Sequence, residues 1–287
     1  MRQKKKTGLV VEGGGMKCAY NAGILDAFLD AGISFDYCIG VSGGSGNLAS
    51  YLAGQKGRNL RFFTEHIHDK EYFGMKSLLK TGNLFGLPYI YGTLTNSGGR
   101  DPLDFPALMN NSAEYQVVVT NAETGKPEYY GKEMMSQDDY RLIMASSAIP
   151  AACRPVELKG TFYYDGGISD AIPADHALAE GCDRLVVILS KNRDYVRKPQ
   201  GMHFLYSRLC RKYPRIVETI DRRHITYNEN LKRIFELEKE GTAFVFAPSE
   251  TIQVGTYSMD EKAEYALYDL GIRDFQSRRE ELRQFLK

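Results

Sequence analysis

The sequence predicts an α/β protein built on a mainly parallel sheet, and three observations predict it. A short apolar run at residues 8–11 ends in Gly13-Gly14-Gly15. A helical repeat of Ala19, Ala22, Ile24, Leu25, Phe28 and Leu29 follows and stops at Gly32. A second strand-like run, 35–41, then leads into Ser42 and a helix of small residues from 43 to about 53. Strand, glycine loop, helix and strand make the opening of a βαβ unit, whose strands run parallel.

Further strands are expected at 115–120, 162–164, 185–190 and 243–247, and helices at 58–68, 138–147 and 174–180. Leu185-Val-Val-Ile-Leu189 is apolar without alternation, which suits a strand covered on both faces. Two long helices are predicted at 214–239 and 260–286. The run 243–247 between them has only an existing sheet to join. The division expected is therefore a core over 1–194 and a helical extension over 195–287, with the strand 243–247 returning to the core sheet. No internal repeat or low-complexity linker interrupts the 287 residues.

Composition bounds the function. Lys plus Arg number 37 against 36 Asp plus Glu, so no whole-protein positive field is available to grip nucleic acid. Cys18, Cys38, Cys153, Cys182 and Cys210 include no Cys-x-x-Cys pair and no zinc-ligand spacing. They read as free, mostly buried thiols of a reducing compartment. Neither a metal nor a cofactor is expected. The start, Met1-Arg-Gln-Lys-Lys-Lys6, is basic, but the apolar run behind it stops at Glu12, too short for the core of a signal peptide. No stretch of about 18 apolar residues occurs. A cytoplasmic location is expected, with any membrane contact peripheral.

Three segments carry candidate chemistry. Gly40-Val41-Ser42-Gly43-Gly44 fits Gly-x-Ser-x-Gly, in which a serine is held on a sharp strand-to-helix turn. The following helix end adds partial positive charge where an oxyanion would form. A glycine-rich turn with an incidental capping serine is the other reading of the same residues. Gly13-Gly14-Gly15 exposes backbone N–H groups suited to an oxyanion or to a phosphate. Neither a P-loop nor a dinucleotide fingerprint is completed there, because Cys18 stands where the latter needs Gly or Ala. Asp165-Gly166-Gly167 follows the strand at 162–164, where α/β enzymes put working groups, although an Asp-Gly turn is common. Of the five histidines, His176 is nearest to Asp165 in sequence, and it reads as a helical surface or packing residue.

In this order, Gly13-Gly14-Gly15-Met16-Lys17, Gly40-Val41-Ser42-Gly43-Gly44 and Asp165-Gly166-Gly167 resemble the patatin-like phospholipases over about residues 7–190. Ala145-Ser-Ser-Ala-Ile-Pro150 adds to the likeness. The resemblance implies a three-layer α/β/α fold and hydrolysis of lipid acyl esters by a Ser–Asp dyad. Ser42 would then be the nucleophile, Asp165 its base, and Gly13, Gly14 and Gly15 the oxyanion hole. Gly40, Gly43 and Gly44 would shape the elbow, and Gly166 and Gly167 would support the aspartate. Lys17 would orient the loop or meet a phosphate, unless it is a solvated lysine at a helix start. One departure is Ser169-Asp170-Ala-Ile-Pro173, where the family often carries Asn shortly before the proline.

Two rival functions share these residues: a soluble esterase or thioesterase acting on small acyl substrates, and a lipid-binding scaffold without catalysis. An apolar flap at 72–92 and a basic cluster at 208–215 with Arg222-Arg223 are candidate membrane contacts. Core packing and a solvated face explain the same two segments. Headgroup, acyl position and oligomeric state leave no mark in the sequence.

Overall fold

A computed structural model describes residues 5–255 and 259–287; most of the basic start, residues 1–4, lies outside them. In chain order the first elements are β1 (Thr7–Val11), α1 (Ala19–Asp30), β2 (Tyr37–Val41), α2 (Gly43–Leu52) and α3 (Arg58–Thr64). Next come α4 (Met75–Thr81), a π-helical turn at Tyr89–Leu94, α5 (Phe105–Asn110), β3 (Glu114–Asn121), β4 (Pro127–Gly131) and α6 (Arg141–Ser146). The chain continues through β5 (Val156–Leu158), β6 (Thr161–Asp165), α7 (Ala174–Ala179) and β7 (Arg184–Ile188). It ends with α8 (His203–Leu209), α9 (Pro214–Lys239), β8 (Ala243–Phe246) and α10 (Glu261–Leu286).

The sheet order is β5-β6-β3-β2-β1-β7-β8, with β4 also on β3. From β3 through β8 the neighbours run parallel, and β4, β5 and β6 pair antiparallel at the other end. The central strands divide their side chains between two cores, residue by residue. Leu9, Val11, Cys38, Val117, Val119, Val186 and Ile188 enter one core, whereas Val10, Ile39, Val41, Val118, Leu185 and Val187 enter the other. With both faces dry, the strands are continuously apolar. Helices α1, α2 and α10 cover the first face, and α7 and α9 the second. The α/β class, the helical layers on both faces and the mainly parallel sheet are borne out.

Local chemistry sets the element ends. Gly32, at φ 64°, closes α1: its N–H donates to Leu29 O and the Ile33 N–H to Phe28 O, satisfying carbonyls that the helix leaves open. Pro214 starts α9, where its missing N–H is not needed, and the Asp260 side chain accepts from Lys262 N and Ala263 N to start α10.

The last two helices are fastened to the core by different means. Helix α10 crosses α1 at glycines: a Cβ on Gly23 would overlap the Tyr268 carbonyl, and one on Gly271 would overlap the Tyr20 carbonyl. No other residue allows that backbone approach. Tyr20 and Tyr268 then donate to buried Asp274 and Asp26, at 2.9 and 2.8 Å. Helix α9 buries Ile216, Ile220, Leu231, Ile234 and Leu237, while Arg223, Tyr227 and Asn230, at i, i+4 and i+7, fall along one further line. That polar line meets the loops at the carboxyl ends of β1 and β6.

Candidate active site

Strand β3 has three neighbours on two edges. Strand β4 occupies one edge at residues 116–120, so β2, ending at Val41↔Val118, and β6, ending at Val119↔Asp165, share the other. These two strands approach nose to nose along one edge, and the residue after Val41 meets the last residue of β6. Topology thus brings Ser42 and Asp165 together across 123 positions of sequence, and Ser42 Oγ donates to Asp165 Oδ2 at 2.7 Å.

Ser42 sits at φ 54°, ψ −132°, a region that L-residues avoid. Such strain, of order 1–3 kcal/mol, persists only where surrounding contacts enforce it. Here they are identifiable. The Ser42 N–H donates to Ser146 Oγ at 2.8 Å, and Ser146 Oγ donates in turn to Val118 O at 2.6 Å. Ser45 donates twice to Ser42 O, through N–H at 2.9 Å and Oγ at 2.6 Å. A Cβ on Gly40 would lie 2.7 Å from Ser45 Cα, and one on Gly44 2.6 Å from the carbonyls of Val11 and Glu12. Those two positions have no room for a side chain. At Gly43 the fit is looser, with Cys18 Sγ at 3.1 Å from the same hypothetical carbon.

Asp165 is buried, and its second oxygen, Oδ1, accepts the Gly167 N–H at 2.7 Å. Burial raises its pKa above the usual carboxylate value; the Arg223 charge, the bonds from Ser42 and Gly167, and the Arg197 charge oppose that rise. The Asp165 N–H donates to Ala148 O at 2.9 Å, tying it to the segment 145–150. Gly166 is required by the backbone, since a Cβ there would overlap Val118 O. Arg223 Nε donates to Gly167 O at 2.8 Å, so α9 braces the same turn. The adjoining Asp170 accepts from Tyr129 at 2.7 Å and from Asn230 of α9 at 2.8 Å. The departure noted at 169–173 is therefore an anchored turn.

The glycine loop lies against this pair. A Cβ on Gly13 would stand 2.7 Å from Ser42 Cβ and from Val41 O, and one on Gly14 2.5 Å from Ser190 Oγ. Gly15, at φ 59°, turns the chain into the short 3-10 segment that carries half-buried Lys17. Below the loop, buried Glu12 accepts from Ser190 N at 2.7 Å, from Tyr227 at 2.8 Å and from Lys191 Nζ. Lys191 also lies 5.1 Å from the centre of the Tyr227 ring. Burial lowers the Lys191 pKa, and the Glu12 charge opposes that shift. The loop is thus held from β1, from the end of β7 and from α9 together.

Ser42 borders two cavities of opposite character. The first is walled by apolar side chains including Met16, Phe63, Tyr72, Leu87, Ile90 and Ile143. Buried Arg58, also in its lining, donates to Ser50 Oγ, Thr95 Oγ1 and Asp101 O at 2.9, 3.1 and 2.9 Å. Burial lowers the Arg58 pKa to about 10, against the charge of Asp101 3.5 Å away. The second cavity is more polar and is bordered by Gly13, Gly14, Gly15, Asp165 and three cationic side chains.

Sequence reasoning singled out the serine, the aspartate and both sets of glycines, and the fold gathers them within one site. Lys17 is near them but donates to no acceptor among the described residues. His176 stands apart, stacked on Tyr129 at 3.5 Å and bonded to Gln116. Of the segment 72–92, Tyr72, Phe85, Leu87 and Ile90 form cavity wall, whereas Leu79 on α4 is 82 % exposed. Arg223, read as part of a surface cluster, turns inward. Glu12 and Ser146 stand in segments that sequence reasoning quoted without giving them a role, and Lys191 and Arg197 were not singled out; the clearest unused signal was an acid, Glu12, between an apolar strand and three glycines.

Comparison with known proteins gives two family matches. The model described as patatin-like phospholipase matches residues 9–178, and a domain of unknown function, DUF6363, matches residues 213–287. The uncharacterized protein YjjU of Escherichia coli (strain K12) is 31% identical over 203 residues, covering 69% of this chain and 56% of that protein. Lysophospholipase nte1 of Aspergillus fumigatus is 23% identical over 192 residues, 64% of this chain and 12% of that protein. The chain thus spans little more than half of the first relative and a small part of the second. Human GIVD cytosolic phospholipase A2, solved with methyl gamma-linolenyl fluorophosphonate, shares the fold at a TM-score of 0.51 and 11% identity, covering 99% of this chain and 58% of that one.

Proposed function

The chain belongs to the patatin-like phospholipase family, and from that membership we propose that it is a serine acyl-hydrolase of lipid esters working through Ser42 and Asp165. The observation that carries this reading is the 2.7 Å hydrogen bond to Asp165 from Ser42 Oγ, the serine itself lining an apolar cavity. In the first step Ser42 Oγ attacks the ester carbonyl and its proton passes to Asp165 Oδ2. The tetrahedral oxyanion is met by N–H groups of Gly13–Gly15 and by the positive end of α2, where one donor is typically worth ~10²–10³ in kcat. Collapse expels the alcohol, which takes the proton from Asp165. Asp165 then draws a proton from water, the hydroxide opens the acyl-serine, and the fatty acid leaves as Ser42 regains its proton.

The apolar cavity accounts for a lipid substrate, since a buried chain gains about 0.8 kcal/mol per CH₂. Hydrolysis of one ester series by the wild-type protein, with divalent metals chelated, is expected to rise steeply in kcat/KM from acetyl to decanoyl and beyond. A flat series, or one favouring acetate, would instead identify a small-substrate esterase.

No described helix is long and apolar enough to cross a membrane. We propose peripheral contact through α4 and α8. Met75 and Leu79 of α4 are exposed beside Lys76 and Lys80, and Phe204, 80 % exposed, Leu205 and Leu209 of α8 beside Arg208 and Arg211. The chain just beyond each helix meets the loop 149–154: Leu84 N donates to Ala152 O at 2.7 Å, and the Ala151 backbone bonds to Cys210. Ile149 of that loop borders both cavities. Apolar tips among basic residues suit an anionic bilayer. Flotation is expected to show binding to vesicles containing anionic lipid, weaker binding to zwitterionic ones, and loss in Leu79→Asp/Phe204→Asp. Equal flotation of the double variant and the wild type would remove this surface from the account.

A further inference from the structure

We propose that Ser190 and Lys191, just beyond β7, are positioning residues that aim the glycine loop at the oxyanion, and that α9 holds them to that task through Tyr227. The proposal rests on the hydrolase reading and adds what orients the loop. Three consecutive glycines have little conformational preference of their own. A peptide between them can present its N–H to the reacting carbon or, flipped, its carbonyl, which repels an oxyanion. Contacts outside the loop have to select the first state. They act on the carbonyls, because in a trans peptide the N–H points opposite to the carbonyl before it. Ser190 Oγ donates to Gly13 O at 2.8 Å, which turns the Gly14 N–H away from Ser190. Asn21 Nδ2 donates to Glu12 O at 2.8 Å, which turns the Gly13 N–H away from α1. Among the described residues neither N–H donates to an acceptor, and both glycines border the polar cavity beside Ser42.

A charge stands behind this arrangement. Buried Lys191 donates through Nζ to Ser190 Oγ at 3.1 Å and to Glu12. A cation thus heads a chain that runs through the Ser190 hydroxyl to the Gly13 carbonyl. Hydrogen bonds in such a chain polarise one another, which makes the Gly14 N–H at its end a stronger donor. The backbone that carries the hydroxyl is pinned on both sides. Ser190 N donates to Glu12 Oε2 at 2.7 Å, and Leu189 N to Phe246 O of β8 at 2.9 Å. Tyr227 of α9 completes the frame, donating to Glu12 Oε1 at 2.8 Å. Ser190 and Lys191 lie beyond the matched residues 9–178, and Tyr227 and Phe246 lie inside 213–287, the region matched as a domain of unknown function. Holding the oxyanion loop in its working orientation is a task for that region.

The test is Ser190→Ala in the full chain, which removes one hydroxyl. With a decanoyl ester kcat is expected to fall roughly 10–100-fold, less than the ~10²–10³ typical of deleting an oxyanion donor outright, with KM within about twofold of wild type. Inhibitor binding separates aiming from general loosening. A long-chain alkyl trifluoromethyl ketone adds to a serine hydroxyl as a hemiketal whose oxygen takes the oxyanion's place. The matching methyl ketone adds far less readily and reads the contacts of the chain alone. In Ser190→Ala the trifluoromethyl ketone should weaken by about the factor lost in kcat, and the methyl ketone should bind as in wild type. Tyr227→Phe, which unfastens Glu12 but keeps the Ser190 hydroxyl, should show the same pattern at several-fold, and it carries the test if Ser190→Ala does not fold. Unchanged kcat and trifluoromethyl ketone affinity in the folded variant, or equal weakening of both ketones, would overturn the positioning role while leaving the hydrolase. A wild type that cleaves no long-chain ester would instead overturn the hydrolase reading, and this role with it.

Discussion

Replacing Ser42 with alanine is expected to lower hydrolysis of a long-chain ester by roughly 10⁴–10⁶-fold, because a nucleophile shares its task with its base and losing it removes the whole unit. What remains would come from the glycine loop and from binding. The fold should survive. Ser42 Oγ donates only to Asp165, the backbone bonds to Ser146 and Ser45 are untouched, and alanine differs by one hydroxyl. A thermal midpoint within a few degrees of wild type, alongside the activity loss, is the expected pair of measurements. A variant that keeps more than about 1 % of activity at that level of stability is incompatible with a nucleophilic Ser42.

Asp165→Asn should cost ~10²–10⁴-fold, the usual worth of general-base help. Its pH behaviour is the sharper signature. Burial raises the Asp165 pKa, so wild-type kcat/KM should rise with pH along a limb centred above the usual carboxylate value. The asparagine variant, with no proton to lose, should lack that limb. Stability carries the opposite sign. A carboxyl whose folded pKa exceeds its unfolded one holds its proton longer when folded, so its contribution is full below the unfolded value of 3.8 and is lost as pH rises through the folded one. Relative to wild type, Asp165→Asn should therefore gain stability between pH 4 and pH 7.5. Denaturant titrations at those two values read the difference, and a gain confined to acid pH would refute the burial argument.

The motifs were legible because backbone crowding writes itself into sequence as glycine. Gly13, Gly40, Gly44 and Gly166 each leave no room for a Cβ, and a serine and an aspartate stand beside them. The continuous apolarity of residues 185–189 likewise announced a strand covered on two faces. What stayed hidden depends on long-range pairing. Strand β4 is half-buried throughout and shows no alternation, and the end-to-end approach of β2 and β6 follows only from the edge that β4 takes. The apolar cavity is lined by residues from Met16 to Ile149 that have ordinary core chemistry. The line of Arg223, Tyr227 and Asn230 on α9 reads in sequence as polar helix surface. Its partners, Gly167, Glu12 and Asp170, are 56, 215 and 60 positions away.

The central claim is that Ser42 Oγ is the atom that bonds covalently to the acyl group. Treatment with a long-chain alkyl fluorophosphonate, followed by peptide mass spectrometry, tests it most directly, because the reagent phosphonylates an activated serine and stays bound. The account predicts one adduct per chain, on the peptide containing Ser42, absent from Ser42→Ala and formed far more slowly in Asp165→Asn. An adduct on another serine, or an unmodified protein that still hydrolyses long-chain esters after treatment, would contradict it.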